Sequence, residues 1–81
     1  MNIKRKYRAY LGDNDFGKEA VNSMCIVADT LKVRVNRIEH SMLNRDTVKC
    51  SIVIETNPVK FKIFDNKIKK VLGIYPKWEE V

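Results

Sequence analysis

Nucleophilic or soft-metal chemistry in this chain would have to start from Cys25, Cys50 and a single histidine, His40. The cysteines form no C-x-x-C pair, and one histidine does not complete a zinc ligand set at any recognised spacing. His40 follows Glu39, and neighbours on an extended strand point to opposite faces, so the two do not make a catalytic dyad. No Gly-rich phosphate loop or nucleophile elbow is present. The chain therefore reads as a non-enzyme with no cofactor, no catalytic residue and no metal ligand. Its cysteines read as buried thiols packing as small hydrophobes in a reducing compartment.

What remains is positive charge. Sixteen Lys and Arg stand against ten Asp and Glu, giving a net charge of +6. A surplus of this sign favours a polyanionic partner: nucleic acid, an acidic protein face or a membrane surface. Eleven of the sixteen cations are Lys. Lysine is a point charge suited to phosphate backbone rather than the planar fork that reads guanine.

These charges need elements to hold them. With 44% hydrophobic and 32% charged residues over 81 positions, the chain can build one small core and is too apolar to be disordered. It has no repeat and no linker, so it reads as one domain over 1–81 with 76–81 as a tail. No stretch approaches the about 18 apolar residues of a membrane helix. The basic start, Lys4-Arg5-Lys6, is not followed by the apolar run of a signal peptide. The expectation is a cytoplasmic protein with no membrane partner.

Residues Ile3 to Leu11 alternate as a half-exposed strand, and Gly12 to Asp15 breaks it, with Asp13 or Asp15 available as a helix cap. Phe16, Ala20, Met24, Val27, Ala28 and Leu31 recur at helical spacing, predicting a helix over about 16–30. Met24 to Ala28 would also serve as a buried strand. From Leu31 the period becomes two, and the parity changes at Asn36-Arg37, where a bulge or bend is expected. Val48, Cys50, Ile52 and Ile54 form the clearest strand. Val59, Phe61 and Ile63 alternate with Lys60 and Lys62 as a further strand after a Thr56-Asn57-Pro58 turn. A short helix capped by Asp65 or Asn66 follows, with Gly73 and Pro76 as stop signals. The expected fold is thus α+β in the order β-α-β-β-β-α, with an antiparallel sheet, helices packed on one face and a basic face exposed.

Under those parities Lys4, Lys6, Arg8, Lys32, Arg34, Lys49, Lys60 and Lys62 share the uncovered face, with Glu55 as the acid beside them. Tyr10, Val53 and Phe64 could interleave with them as stacking groups. A second cluster, Lys67, Lys69 and Lys70, would open the last helix beside its N-terminal amides, a phosphate-binding position. Trp78 is either a lid on the core or an exposed protein anchor.

The order helix, three strands, helix within 16–75 is also that of double-stranded-RNA-binding domains. The Gly-Pro and His signatures of their inter-strand loops are missing here and an N-terminal strand is added, so the likeness is topological. In composition the chain resembles small early proteins of phages or mobile elements. The resulting expectation is a small nucleic-acid-binding accessory or regulatory protein making sequence-poor backbone contacts to DNA or RNA. The alternative is an inhibitor or adaptor that docks an acidic protein through its basic face or its tail. An open sheet edge, at the first strand or near Leu31 to Val35, could support a homodimer.

Overall fold

The computed structural model describes the backbone of residues 1–11, 14–45 and 47–81 and the side chains of residues 1–8, 20–45 and 47–81. The elements are β1 (Ile3–Leu11), α1 (Asn14–Leu31), β2 (Arg34–Met42), β3 (Val48–Thr56), α2 (Pro58–Leu72) and β4 (Trp78–Glu80). They form one antiparallel sheet in the order β2-β3-β1-β4. Each helix links two strands that have a third lying between them, which is the split βαβ arrangement. The fold class is as expected: α+β, with four antiparallel strands and two helices.

β3 lies second in the sheet and, together with α1, supplies most of the core. Val48, Cys50, Ile52, Ile54 and Thr56 alternate toward the helices and are all buried. Above them α1 lays down Ala20, Val21, Met24, Val27 and Ala28, one stripe at helical spacing. This settles Met24 to Ala28 as helix rather than strand. From α2 come Phe64 and Ile68, fully buried against Ile52, Ile54 and Met24. The alternative caps at Asp13 and Asp15 lie outside the described residues and side chains.

Two segments differ from the sequence expectation. Val59 to Phe64 is helix, because Asn57 caps α2, its side chain accepting the Lys60 N–H at 2.8 Å, and Pro58 sits in the first turn where its missing N–H costs nothing. The alternation of Val59, Phe61 and Ile63 mimics a strand over six residues. The longer pattern Phe61, Phe64, Ile68, Leu72 is helical and faces the core. The fourth strand comes instead from the expected tail, Trp78–Glu80, paired with β1 through Arg5–Glu80, Lys6–Glu79 and Tyr7–Trp78.

Residue Lys32 is likewise not in a strand. It ends α1 with φ 60°, donating to the Asp29 carbonyl at 3.3 Å while Val33 donates to the Ala28 carbonyl at 2.8 Å. This is a Schellman closure with lysine in the left-handed site that usually falls to glycine. The expected irregularity near Asn36-Arg37 is present as a register shift between Val35 and Arg37. It switches the parity, so that Arg34 and Arg37 lie on one face and Val35, Ile38, His40 and Met42 on the other.

Candidate functional site

Both helices cover one face of the sheet, and the other is open. Strand registers order the open face into rows. Arg34, Glu55 and Lys4 stand side by side; next come Arg37, Val53, Lys6 and Glu79; then Glu39, Ser51 and Arg8; then Ser41, Lys49 and Tyr10, whose side chain lies outside the described ones. Five of the eight expected cations are here: Lys4, Lys6, Arg8, Arg34 and Lys49. Arg37 joins them, brought onto this face by the bulge. Lys32, Lys60 and Lys62 do not belong, the first being the end of α1 and the other two lying on α2. Phe64 is in the core, not among the cations.

More acid reaches this face than expected, since Glu39 and Glu79 join Glu55. Glu79 accepts two bonds from the Arg8 guanidinium at 2.8 and 3.0 Å. Glu39 pairs with Arg37 at 2.6 Å and lies 3.9 Å from Lys49. Glu55 accepts from Asn36 at 3.0 Å. That hydrogen bond, with the nearby charges of Lys4 and Arg34, holds its carboxyl below the usual carboxylate range. Exposed pairs of this kind are each worth little in stability. Their effect is to leave charge uneven along the face. Lys6 has no ion pair among the described residues, and Lys4 and Arg34 share the single charge of Glu55 without contacting it closely. Of the face's three surplus positive charges, two therefore lie at one end of the sheet, with Lys4, Lys6 and Arg34, and one lies with Arg37 and Lys49.

The second cluster lies elsewhere than its sequence suggested. Because α2 begins at Pro58, Lys67, Lys69 and Lys70 lie toward its C-terminal end, far from its N-terminal amides. There they complement the negative end of the helix dipole. Lys69 pairs with Asp65 at 3.0 Å and lies 5.9 Å from the centre of the Tyr75 ring. Lys67 borders an apolar groove between α1 and α2 lined by Ile26, Val27, Leu31 and Val71, about 310 Å³ in volume.

Of the two readings of Trp78, the structure shows the lid. Its ring lies against Tyr7, Phe61 and Phe64 at centroid distances of 5.8, 5.4 and 5.9 Å, and its indole N–H donates to Asp65 at 2.8 Å. A side chain used in this way is not an exposed anchor. The thiols are free, Cys50 buried and Cys25 half-buried in the same small cluster with Val21 and Val48. Burial pushes both thiols up, which favours their protonated form. Glu39 and His40 do face opposite ways, Glu39 being on the open side with its two cations.

No protein-family model matches the chain, and no curated protein sequence matches it. Solved structures do resemble it. One is a de novo designed protein, Foldit4, at a TM-score of 0.77 and 10% identity, covering 98% of this chain and 92% of that one. Another is the C-terminal domain of the MgtC protein from Mycobacterium tuberculosis, at a TM-score of 0.66 and 10% identity, covering 98% of this chain and 87% of that one. At that identity the likeness is one of fold, and a fold that a designed sequence can adopt carries no function with it.

Proposed function

We propose that this protein binds the phosphate backbone of nucleic acid through the open face of its sheet, as a small accessory or regulatory protein. The observation that carries this reading is the row structure. Lys4, Lys6, Arg8, Arg34, Arg37 and Lys49 share one uncovered face with three glutamates, and the surplus concentrates at Lys4, Lys6 and Arg34. Polyanion binding would relieve the mutual repulsion of these three and release the counterions that condense on phosphate. Tyr10 is the one aromatic residue in these rows, too few rings to stack successive bases, which favours backbone contacts over base reading. A cytoplasmic setting accompanies this reading, supported by two thiols that form no disulfide. Among the described residues no helix is long and apolar enough to cross a membrane.

The test is an anisotropy titration with labelled duplex DNA, single-stranded DNA and duplex RNA at two salt concentrations. Three phosphate contacts at the uncompensated end would give duplex DNA a log K against log salt slope of about −3, at about −0.9 per contact. Lys4→Glu with Lys6→Glu should remove binding and leave the circular dichroism spectrum unchanged. Absence of binding at low salt, or full affinity in the folded double variant, would overturn the proposal. In the first case the charge would be either composition or a face for docking an acidic protein.

A further inference from the structure

We infer that the chain forms a twofold dimer by antiparallel pairing of β2 with the β2 of a second copy, centred on His40. The inference does not depend on nucleic-acid binding. It starts from backbone parity. Leu43 donates its N–H to the Thr47 carbonyl at 2.9 Å across the β2–β3 hairpin, so Leu43 faces β3. Alternation along the strand then turns the N–H and C=O groups of Ile38, His40 and Met42 away from β3, toward the open edge.

The same stretch exposes apolar side chains. Ile38 is 50%, Met42 65% and Leu43 53% exposed. Ile38 and Met42 lie on the helix side of the sheet, but past the cover that α1 provides. Natural edge strands are guarded by lysine, proline, shortness or a bulge placed to twist them away. β2 has nine residues, no lysine and no proline. Its register shift sits at Val35 to Arg37, which leaves 38–42 regular. The charged residues of β2, Arg34, Arg37 and Glu39, all stand on the open face, so over 38–42 the helix side of this edge carries apolar residues with no Lys, Arg, Asp or Glu to guard it, the mark of an interface.

The strand is also complementary to itself in one register. With His40 opposite its symmetry mate, Ile38 meets Met42 of the second copy and Met42 meets Ile38. Those three pairs would each exchange two backbone hydrogen bonds. On the other face Glu39 meets Ser41, so no like charges oppose each other. Centring the pair on Ile38 would set His40 against the bulged Asn36 and break the ladder. Centring it on Met42 would run His40 past the strand end, centring it on Glu39 would oppose Glu39 to its own mate, and centring it on Ser41 would leave only the two His40–Met42 pairs within the strands. The His40 register joins two four-stranded sheets into one of eight strands, all four helices on one side and both basic faces on the other. It closes as an isologous twofold contact, so growth stops at two chains.

Sedimentation equilibrium across micromolar concentrations should give twice the 9.5 kDa chain mass. The variant Ile38→Lys with Met42→Lys should give 9.5 kDa with an unchanged circular dichroism spectrum. Register is read by cross-linking on a background of Cys25→Ala with Cys50→Ala, since Cys50 lies opposite His40 across the β2–β3 pair and would otherwise compete for a thiol placed there. His40→Cys should form an oxidised dimer, since directly opposed hydrogen-bonded residues lie about 5.5 Å apart at Cα, within disulfide reach. Ile38→Cys alone should not, as its mate lies about 13 Å along the strand. A mixture of Ile38→Cys and Met42→Cys chains should link one to the other. A monomeric wild type at all concentrations, or a dimer indifferent to the double lysine variant, would overturn the inference. Efficient linking of Ile38→Cys to itself would overturn the register.

Discussion

β2 and β4 occupy the two edges of one sheet, and each is delivered there by a helix that ends on a left-handed residue, Lys32 after α1 and Gly73 after α2. Beyond that shared plan the halves diverge. β4 is three residues long, two of them glutamate, and both glutamates are tied to arginines of β1. Its one apolar residue, Trp78, turns inward onto three rings. β2 is three times as long, and two of its three apolar residues, Ile38 and Met42, stay outside while Val35 packs on the core. One edge is closed by shortness, charge and a buried anchor, while the other keeps its backbone groups and apolar side chains available. The difference separates an edge that completes the monomer from an edge that remains to be completed.

The largest effect should come from breaking the closed edge. Trp78→Ala removes the ring from Tyr7, Phe61 and Phe64 and takes one of its partners from the Asp65 carboxylate, leaving it Lys69, and should cost about 3–5 kcal/mol by urea denaturation. A loss below about 1 kcal/mol would show that β4 is decoration. Next, Asp65→Ala deletes the indole acceptor and should cost about 1–2 kcal/mol. A double-mutant cycle with Trp78→Phe should return positive coupling, and additivity would remove the bond from the account.

The helix ends sharpen the contrast at smaller scale. Gly73→Ala should lose about 1 kcal/mol, all of it backbone strain, because a Cβ built at Gly73 meets nothing within 4 Å. Lys32→Gly relieves the same strain in the other half and should raise stability by up to about 1 kcal/mol, seen as a higher Tm. Loss of stability in Lys32→Gly would mean that the lysine makes a contact outweighing its strain. The smallest effect belongs to the open edge. Met42→Lys, assayed at concentrations too low for association, should lie within about 0.5 kcal/mol of the parent.

Much of this architecture was legible in the residues. The periodicities of 16–30 and of Val48 to Ile54 named α1 and β3, and the parity change at Asn36-Arg37 marked the bulge that β2 carries. The open basic face was legible in part, since Lys4, Lys6, Arg8, Arg34 and Lys49 follow from local alternation alone. Lys60 and Lys62 were misplaced because six alternating residues fit a strand as well as a helix flank. The Asn57-Pro58 pair, a cap followed by a first-turn proline, was the signal that could have decided between them. Arg37, Glu39 and Glu79 were missed, two because a bulge reverses everything after it, and one because its strand was read as tail.

Local order, then, was written in the sequence where one period ran unrivalled over a whole element, as in α1 and β3, since such a run has one way to bury its apolar side; α2, whose first residues also alternate, was not such a case. Tertiary structure alone decided the rest. Trp78–Glu80 has too few residues to show any period, and it becomes a strand because β1 offers it an edge and the rings of Tyr7, Phe61 and Phe64 offer its tryptophan a place to bury. Likewise, which edge of the sheet stays open depends on where the last strand docks, a contact between residues more than seventy positions apart that no local pattern encodes.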